Sequence, residues 1–206
     1  MQPDDIQRYC DLMAEIKART KLVKLVGEAQ ALALPRPARV EFVYLQLRKI
    51  VELIAMASLL ANAEMFVRVH SRIQRYRNAK DLLREIEALN PEFYPTPVVQ
   101  MPSEGSRAEI EWADRPDDFL TKDRFISLYD KCGSVLHASN PFAPEQDLES
   151  LEVAAPKWYL QIMNLLNAHT IRPVGDAKLY LIQMGNDAQR PTCSVFTPQT
   201  PTLGEP

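Results

Sequence analysis

The side chains best suited to chemistry lie in one short segment, residues 129–142. On a helix, Asp130, Ser134 and His137 fall at positions i, i+4 and i+7, so a carboxylate, a hydroxyl and an imidazole share one face. Gly133 lies on the same face, although glycine inside a helix costs about 1 kcal/mol relative to alanine. An imidazole near a helix C-terminus suits proton transfer close to neutral pH. The segment therefore predicts a proton-transfer site centred on His137.

Lys131 and His137 enclose five residues, and this segment resembles the HEPN superfamily. The signature of that family is an arginine followed by four to six residues and a histidine near a helix end. The resemblance implies a helical bundle that dimerises through these helices and, in active members, metal-independent RNA cleavage. It implies that His137 moves the proton and Lys131 steadies phosphate charge, while the helical spacing adds Asp130 to the candidate catalytic residues. Lysine stands where the family has arginine, which removes the bidentate fork suited to phosphate.

The same segment also admits a purely structural interpretation. A histidine at a helix end can bond a backbone carbonyl while neighbouring charges are solvated. In that case His137 stabilises the helix end, and Asp130 and Lys131 have no chemical role. The sequence leaves both interpretations open.

Arg48 and Glu52 are a second candidate pair, because they stand at i and i+4 within an otherwise apolar helix. Charges buried without a partner are expensive, so the two are expected to meet. A mutual salt bridge would fix the packing of this helix. Alternatively, the pair lies beneath the His137 face, where Arg48 would hold a bound phosphate or orient the imidazole.

A third candidate is a basic stretch between residues 63 and 89, in which Arg68, Arg72 and Arg75 share one helical face. An exposed face of this kind can bind RNA backbone. Four acidic residues in the same stretch favour the alternative of an ordinary solvated face. The net charge of −3 argues against a protein that is basic all over.

Several classes of site are excluded by what the chain lacks. It has no glycine-rich phosphate loop, no dinucleotide-binding turn and no nucleophile elbow, and it has only six glycines. Its three histidines and three cysteines are widely spread, so neither a metal site nor a disulfide framework is expected. We expect no cofactor.

Five helices are predicted to position these candidates, over residues 4–33, 38–62, 63–89, 122–139 and 146–169. The second is apolar on nearly all sides and should lie at the centre of the bundle. Thr121 is the predicted N-cap of the fourth helix, and His169 is expected to cap the end of the fifth helix. Residues 91–120 are rich in proline and predict a loop with at most a minor hairpin.

The predicted fold class is mainly α, a helical bundle over residues 1–172 with a small C-terminal β-hairpin at 173–197 and a disordered tail at 198–206. The most apolar stretch, 50–63, is only long enough for a buried helix and does not predict a membrane span. No signal peptide is recognised at Met1, so we expect the cytoplasm. Two functions remain: a non-catalytic module that binds protein, nucleotide or RNA, and a metal-independent ribonuclease of toxin or phage-defence type. Whether the protein is an enzyme stays open, and a homodimer is expected from the resemblance.

Overall fold

Five helices and five strands make up the part of the chain that the computed structural model describes, which is residues 1–28, 34–63, 78–102, 110–138, 142 and 144–198. The helices are α1 (Pro3–Glu28), α2 (Arg36–Ala61), α3 (Ala79–Leu89), α4 (Lys122–Leu136) and α5 (Leu148–Leu166). The strands are β1 (Thr96–Pro102), β2 (Ile110–Asp114), β3 (Ala168–Ile171), β4 (Leu179–Gln183) and β5 (Thr192–Phe196). The predicted disordered tail lies outside the described residues from position 199 onward.

Helix α2 is the centre of the fold, as its sequence predicts. It packs against α1, α3, α4 and α5, and twelve of its side chains are buried. A helix that is apolar on nearly all sides is removed from water only when neighbouring helices cover it from several directions. Among the helices that the structure describes, none combines the length and apolar character needed to cross a lipid bilayer.

Side-chain caps fix where α3, α4 and α5 begin, through Asn78, Thr121 and Asp147. Thr121 accepts a hydrogen bond from the backbone of Arg124 at the start of α4, which confirms the predicted cap. Asn78 caps α3 in the same way, so the helix predicted over 63–89 does not run unbroken through this residue. An asparagine side chain competes for backbone donors and therefore favours a helix start over a helix interior. Residues 64–77 lie outside the described part of the chain.

The prediction of a bundle with only a small C-terminal hairpin is wrong. The described strands form one antiparallel sheet in the order β2-β1-β3-β4-β5. Both predicted hairpins are present, as β1 with β2 and as β4 with β5. Strand β3 lies between the two hairpins and joins them into one sheet. The joining stabilises both, because an isolated two-stranded hairpin buries too little surface to be stable.

The two faces of the sheet have different environments. Tyr180 and Ile182 point into the main core formed with the helices. Val98, Ala168 and Leu181 form a second, smaller cluster on the opposite face, against which Trp112 packs. Successive side chains of a strand alternate between the two faces of a sheet. Trp112 of β2 therefore helps to cover the sheet face that lies opposite the main core.

His169 connects three elements from within the core. Its side chain is 0% exposed, and its Nδ1 lies 3.0 Å from the carbonyl oxygen of Leu166 at the end of α5. Its Nε2 lies 3.0 Å from the hydroxyl of Tyr9 in α1. A carbonyl only accepts, so Nδ1 carries the proton and Nε2 accepts from the tyrosine. His169 therefore binds the helix end as predicted, but it does so from strand β3 and not from the helix itself.

Two further polar contacts connect distant segments. The Lys17 ammonium of α1 donates to the carbonyl oxygens of Met184 at 2.7 Å and of Gln189 at 2.8 Å, and so anchors the turn between β4 and β5. The buried Asn90 amide donates to the Asn62 side chain at 2.9 Å and to the Arg172 carbonyl at 3.1 Å. The contacts of Asn90 satisfy buried polar groups that would otherwise be unpaired.

Candidate functional site

The residues predicted for proton transfer lie at the exposed C-terminal end of α4. His137 is the first residue after the helix; its backbone N–H donates to the Gly133 carbonyl at 3.1 Å, and its backbone is extended. The side chains of Lys131, Ser134 and His137 are all exposed. The helix thus extends far enough to put the predicted residues on one surface, open to solvent.

The hydrogen bonds within this surface do not join Asp130 to His137. The Asp130 carboxylate pairs with Lys80 of α3, with Nζ and Oδ1 2.7 Å apart. The Ser134 hydroxyl donates to the Lys131 carbonyl of its own helix at 2.8 Å. Asp130 therefore attaches α4 to α3, and no relay of carboxylate, hydroxyl and imidazole is formed among the described residues.

Arg48 of α2 contacts the buried side of the same helix. Its Nε lies 2.8 Å from the Glu52 carboxylate, and its Nη1 donates to the Tyr129 carbonyl at 3.0 Å. The guanidinium also stacks on the Tyr129 ring, with its central carbon 3.3 Å from the ring centroid. The side chains of Arg48 and Glu52 are only 21% and 31% exposed, so the expected salt bridge exists and is half-buried. These contacts occupy Arg48 in holding α2 to α4.

Gly133 lies next to this guanidinium but is not required by it. A β-carbon added at Gly133 would lie 3.6 Å from Nη1 of Arg48, which is ordinary van der Waals contact. The neighbouring thiol of Cys132 is fully buried, and burial raises its pKa to about 12. A thiol that stays protonated at neutral pH is a poor nucleophile, so Cys132 belongs to the core.

The predicted RNA-binding residues Arg68, Arg72 and Arg75 lie outside the described residues. RNA binding by these three arginines therefore stays a prediction. Within the described ranges, no three His, Cys, Asp or Glu side chains come together in a way that could hold a metal ion.

A cavity of about 660 Å³ lies between the end of α1, the start of α2 and the first half of α5. Its inner wall is apolar and includes Val23, Val40, Val43 and Ala155. The remaining lining residues come from the same three helices and include both aromatic and charged side chains: Lys24, Val26, Gly27, Arg39, Tyr44, Glu152, Pro156, Tyr159 and Leu160.

An ion-pair network holds one edge of this cavity. The Glu152 carboxylate of α5 binds Arg36 at 2.8 Å and Arg39 at 3.1 Å, both from the first turn of α2. The hydrogen bonds from Arg36 and Arg39 hold the pKa of the Glu152 carboxyl below its usual value, and the bond from Arg36 has the larger effect. The network connects the first turn of α2 to α5, and Lys24 of α1 is a further charged residue of the lining.

Tyr44 lies at the bottom of the cavity, where its hydroxyl donates to the Leu151 carbonyl at 3.1 Å. Burial raises the pKa of Tyr44 to about 12, so the hydroxyl stays protonated and the hydrogen bond persists at neutral pH. The bottom of the cavity is therefore fixed by a contact between α2 and α5.

Sequence reasoning missed this cavity because its apolar residues follow the same helical spacing as core residues. One signal was available in Pro156, which stands inside a helix that the sequence predicts over 146–169. A proline at such a position is unfavourable unless tertiary structure supports it.

No protein-family model matches this chain, and neither a curated protein nor a solved structure matches it significantly. The HEPN resemblance therefore stays a prediction that rests on Lys131 and His137 alone.

Proposed function

We propose that this protein is a non-catalytic binding module whose ligand occupies the cavity between α1, α2 and α5. The observation that carries the proposal is the cavity itself. Its volume of about 660 Å³ falls within the range typical of small-molecule sites, roughly 300–1,000 Å³. An apolar inner wall with a few polar groups at one edge is the usual composition of such a site.

The exposure of apolar side chains at the opening supports the same proposal. Leu160 lines the cavity and is 57% exposed, and Val153, the residue that follows Glu152 in α5, is 75% exposed. Apolar surface grouped around a concave site marks a place where a partner molecule removes it from water. A bound ligand would cover Leu160 and leave the ion pairs of Glu152 in place.

The proposal can be tested with 8-anilinonaphthalene-1-sulfonate, whose fluorescence rises when it enters an apolar site. We expect saturable binding to the parent protein and at least a tenfold loss of affinity in Ala155→Phe, because the larger side chain fills the inner wall. Ala177→Phe, at an exposed position away from the cavity, is the matched control. Equal binding to both variants would refute the cavity as the site.

A second candidate function is a metal-independent ribonuclease acting through His137 and Lys131. It is supported by the exposure of both side chains at one end of α4, where a nucleic-acid backbone can reach them. In excess chelator, His137→Ala should lower any RNA cleavage by roughly 100-fold, the usual contribution of a general acid or base. Lys131→Ala should also lower it, and Lys131→Arg should preserve it.

Lys178→Ala, which changes an exposed lysine outside α4, is the matched control for this experiment. If cleavage persists in His137→Ala, or if no RNA is cleaved, the ribonuclease proposal fails and the binding module remains.

Two further proposals come from the sequence: a cytoplasmic protein that forms the homodimer implied by the resemblance, and RNA binding through the basic face of Arg68, Arg72 and Arg75. Sedimentation at micromolar concentration tests the dimer.

The RNA contact is tested by measuring RNA affinity at increasing salt. The affinity should fall steeply with salt, and Arg72→Ala should weaken it about equally for unrelated RNA sequences. Salt-insensitive binding would count against it.

A further inference from the structure

Cys10 of α1 and Cys193 of β5 are far apart in the sequence but belong to elements that contact each other. In the sheet, Cys193 lies opposite Ile182 of β4, and Ile182 lies opposite His169 of β3. Residues directly opposite each other in antiparallel strands project to the same face of the sheet. That face is the one covered by helices, because His169 bonds Tyr9 of α1. Cys193 therefore faces the helical layer, where it packs, partly buried, against the main core.

Contacts near both ends of α1 fix how this helix runs along the hairpin of β4 and β5. In its second half, the Lys17 ammonium holds the turn between the two strands. At its N-terminal end, the nitrogen of Met1 lies 3.1 Å from the hydroxyl of Tyr180, the second residue of β4. Helix α1 therefore runs in the direction of β4 and opposite to β5. Cys10 lies between these two contacts in the helix, and Cys193 lies between them in β5.

An ion pair joins the two cysteine-bearing segments. Nη2 of Arg190 lies 3.2 Å from the Asp11 carboxylate. Asp11 directly follows Cys10, and Arg190 stands three residues before Cys193, a separation of at most about 10 Å in extended chain. The thiols also influence each other: burial raises the pKa of the Cys193 thiol to about 11, and the Cys10 thiol contributes to the increase. Because such an influence falls off with distance, the two thiols lie close together.

A small reagent can reach both of these thiols. Cys10 and Cys193 are half-buried beside the exposed pair of Arg190 and Asp11, whereas Cys132 is fully buried. Burial and then the Asp11 carboxylate raise the pKa of the Cys10 thiol, and Arg190 opposes them. Neither thiol is therefore stabilised as a thiolate. Exchange is slow at neutral pH for this reason, and a disulfide between the two, once formed, is difficult to reduce.

We propose that Cys10 and Cys193 form an oxidative modification site, at which a small disulfide such as oxidised glutathione converts the two thiols into an intramolecular disulfide. One cysteine, as its thiolate, breaks the sulfur–sulfur bond of the reagent, forms a mixed disulfide and releases one glutathione. The other cysteine then attacks the protein sulfur of the mixed disulfide and releases the second glutathione. The cysteines lose two electrons, and the reagent gains these electrons together with the two thiol protons.

The disulfide would attach an edge of the sheet to a helix. Strand β5 is the last strand of the described sheet and pairs there only with β4. A covalent bond from Cys193 to Cys10 fixes this strand to α1 as well. The site does not include the cavity residues, so the inference is independent of the proposed function.

The test treats the full-length protein with an excess of oxidised glutathione and maps its peptides by mass spectrometry without reduction. We expect a monomer that contains two peptides joined through Cys10 and Cys193. Cys132→Ala retains both thiols, so it is the matched control and should form the same joined pair. Cys10→Ala and Cys193→Ala should each abolish it.

The disulfide should also raise the melting temperature of the parent protein by roughly 5 to 15 °C, because it restricts the unfolded chain across a long loop. The same treatment should change the melting temperature of Cys193→Ala by less than about 2 °C. A parent protein in which both cysteines stay free, or in which each carries a glutathione, would show that the thiols are too far apart and would overturn the inference. A covalent dimer or a disulfide that involves Cys132 would overturn it too. Linkage without a rise in melting temperature would refute the attachment of the edge strand.

Discussion

His169 should make the protein lose stability in mild acid, above the pH range in which its carboxylates become protonated. The imidazole is fully buried, and burial lowers its pKa from 6.5 to about 4, with the Leu166 carbonyl opposing this shift. Among the described residues, the titratable groups near it carry no negative charge at neutral pH: burial raises the pKa of the Tyr9 hydroxyl, and it raises that of the Cys193 thiol to about 11. The folded protein therefore holds His169 neutral.

The size of the effect follows from proton linkage. Between pH 6.5 and pH 4 the unfolded chain binds a proton at this residue and the folded chain does not, so acid favours unfolding. The stability contributed by His169 is fully present above pH 6.5 and is lost as the pH falls toward 4. A shift of this size corresponds to a loss of about 2 kcal/mol at pH 5 and about 3 kcal/mol at pH 4.

Urea denaturation at pH 8, 6 and 5 measures this loss directly. The non-titrating variant His169→Gln should be less stable at pH 8 but should lose about 2 kcal/mol less than the parent on going to pH 5. If it is too unstable to assay, Tyr9→Phe retains the imidazole and should keep the parent's pH slope, while losing about 1–3 kcal/mol at pH 8 because Nε2 is left without a donor. A parent protein whose stability is flat between pH 8 and pH 5 would refute the reasoning.

The other predictions concern contacts between helices and are checked by urea denaturation at pH 7.5. Arg48→Ala should cost about 2 kcal/mol, because it removes a half-buried ion pair and the stacking on Tyr129; a change below 0.5 kcal/mol, a rough limit for ordinary surface positions, would contradict these contacts. Gly133→Ala should stabilise by about 1 kcal/mol, since a β-carbon meets Arg48 only at van der Waals distance, and destabilisation would mean that the guanidinium cannot adjust. Asn90→Ala should cost about 2 kcal/mol or more by leaving the buried oxygen of Asn62 short of a donor; parent-like stability would mean that water replaces the amide.

The sequence by itself determined the features that arise from local interactions. The Thr121 cap, the central burial of α2 and the pairing of β4 with β5 were all predicted correctly. Each depends on residues close together in the chain: a hydroxyl within reach of a free amide, an unbroken apolar surface, or two short strands around a turn with Gly185 at a positive φ of 66°.

Tertiary structure decided the rest, because the deciding contacts join residues far apart in the chain. Strand β3 has only four residues directly after a helix, too few to show a strand period, and only its neighbours β1 and β4 define it. Asp130 looked like a partner for His137 until α3 brought Lys80 to it from 50 residues away. The cavity depends on how α1, α2 and α5 are spaced, and no pattern of apolar residues distinguishes a wall that meets a ligand from one that meets another helix.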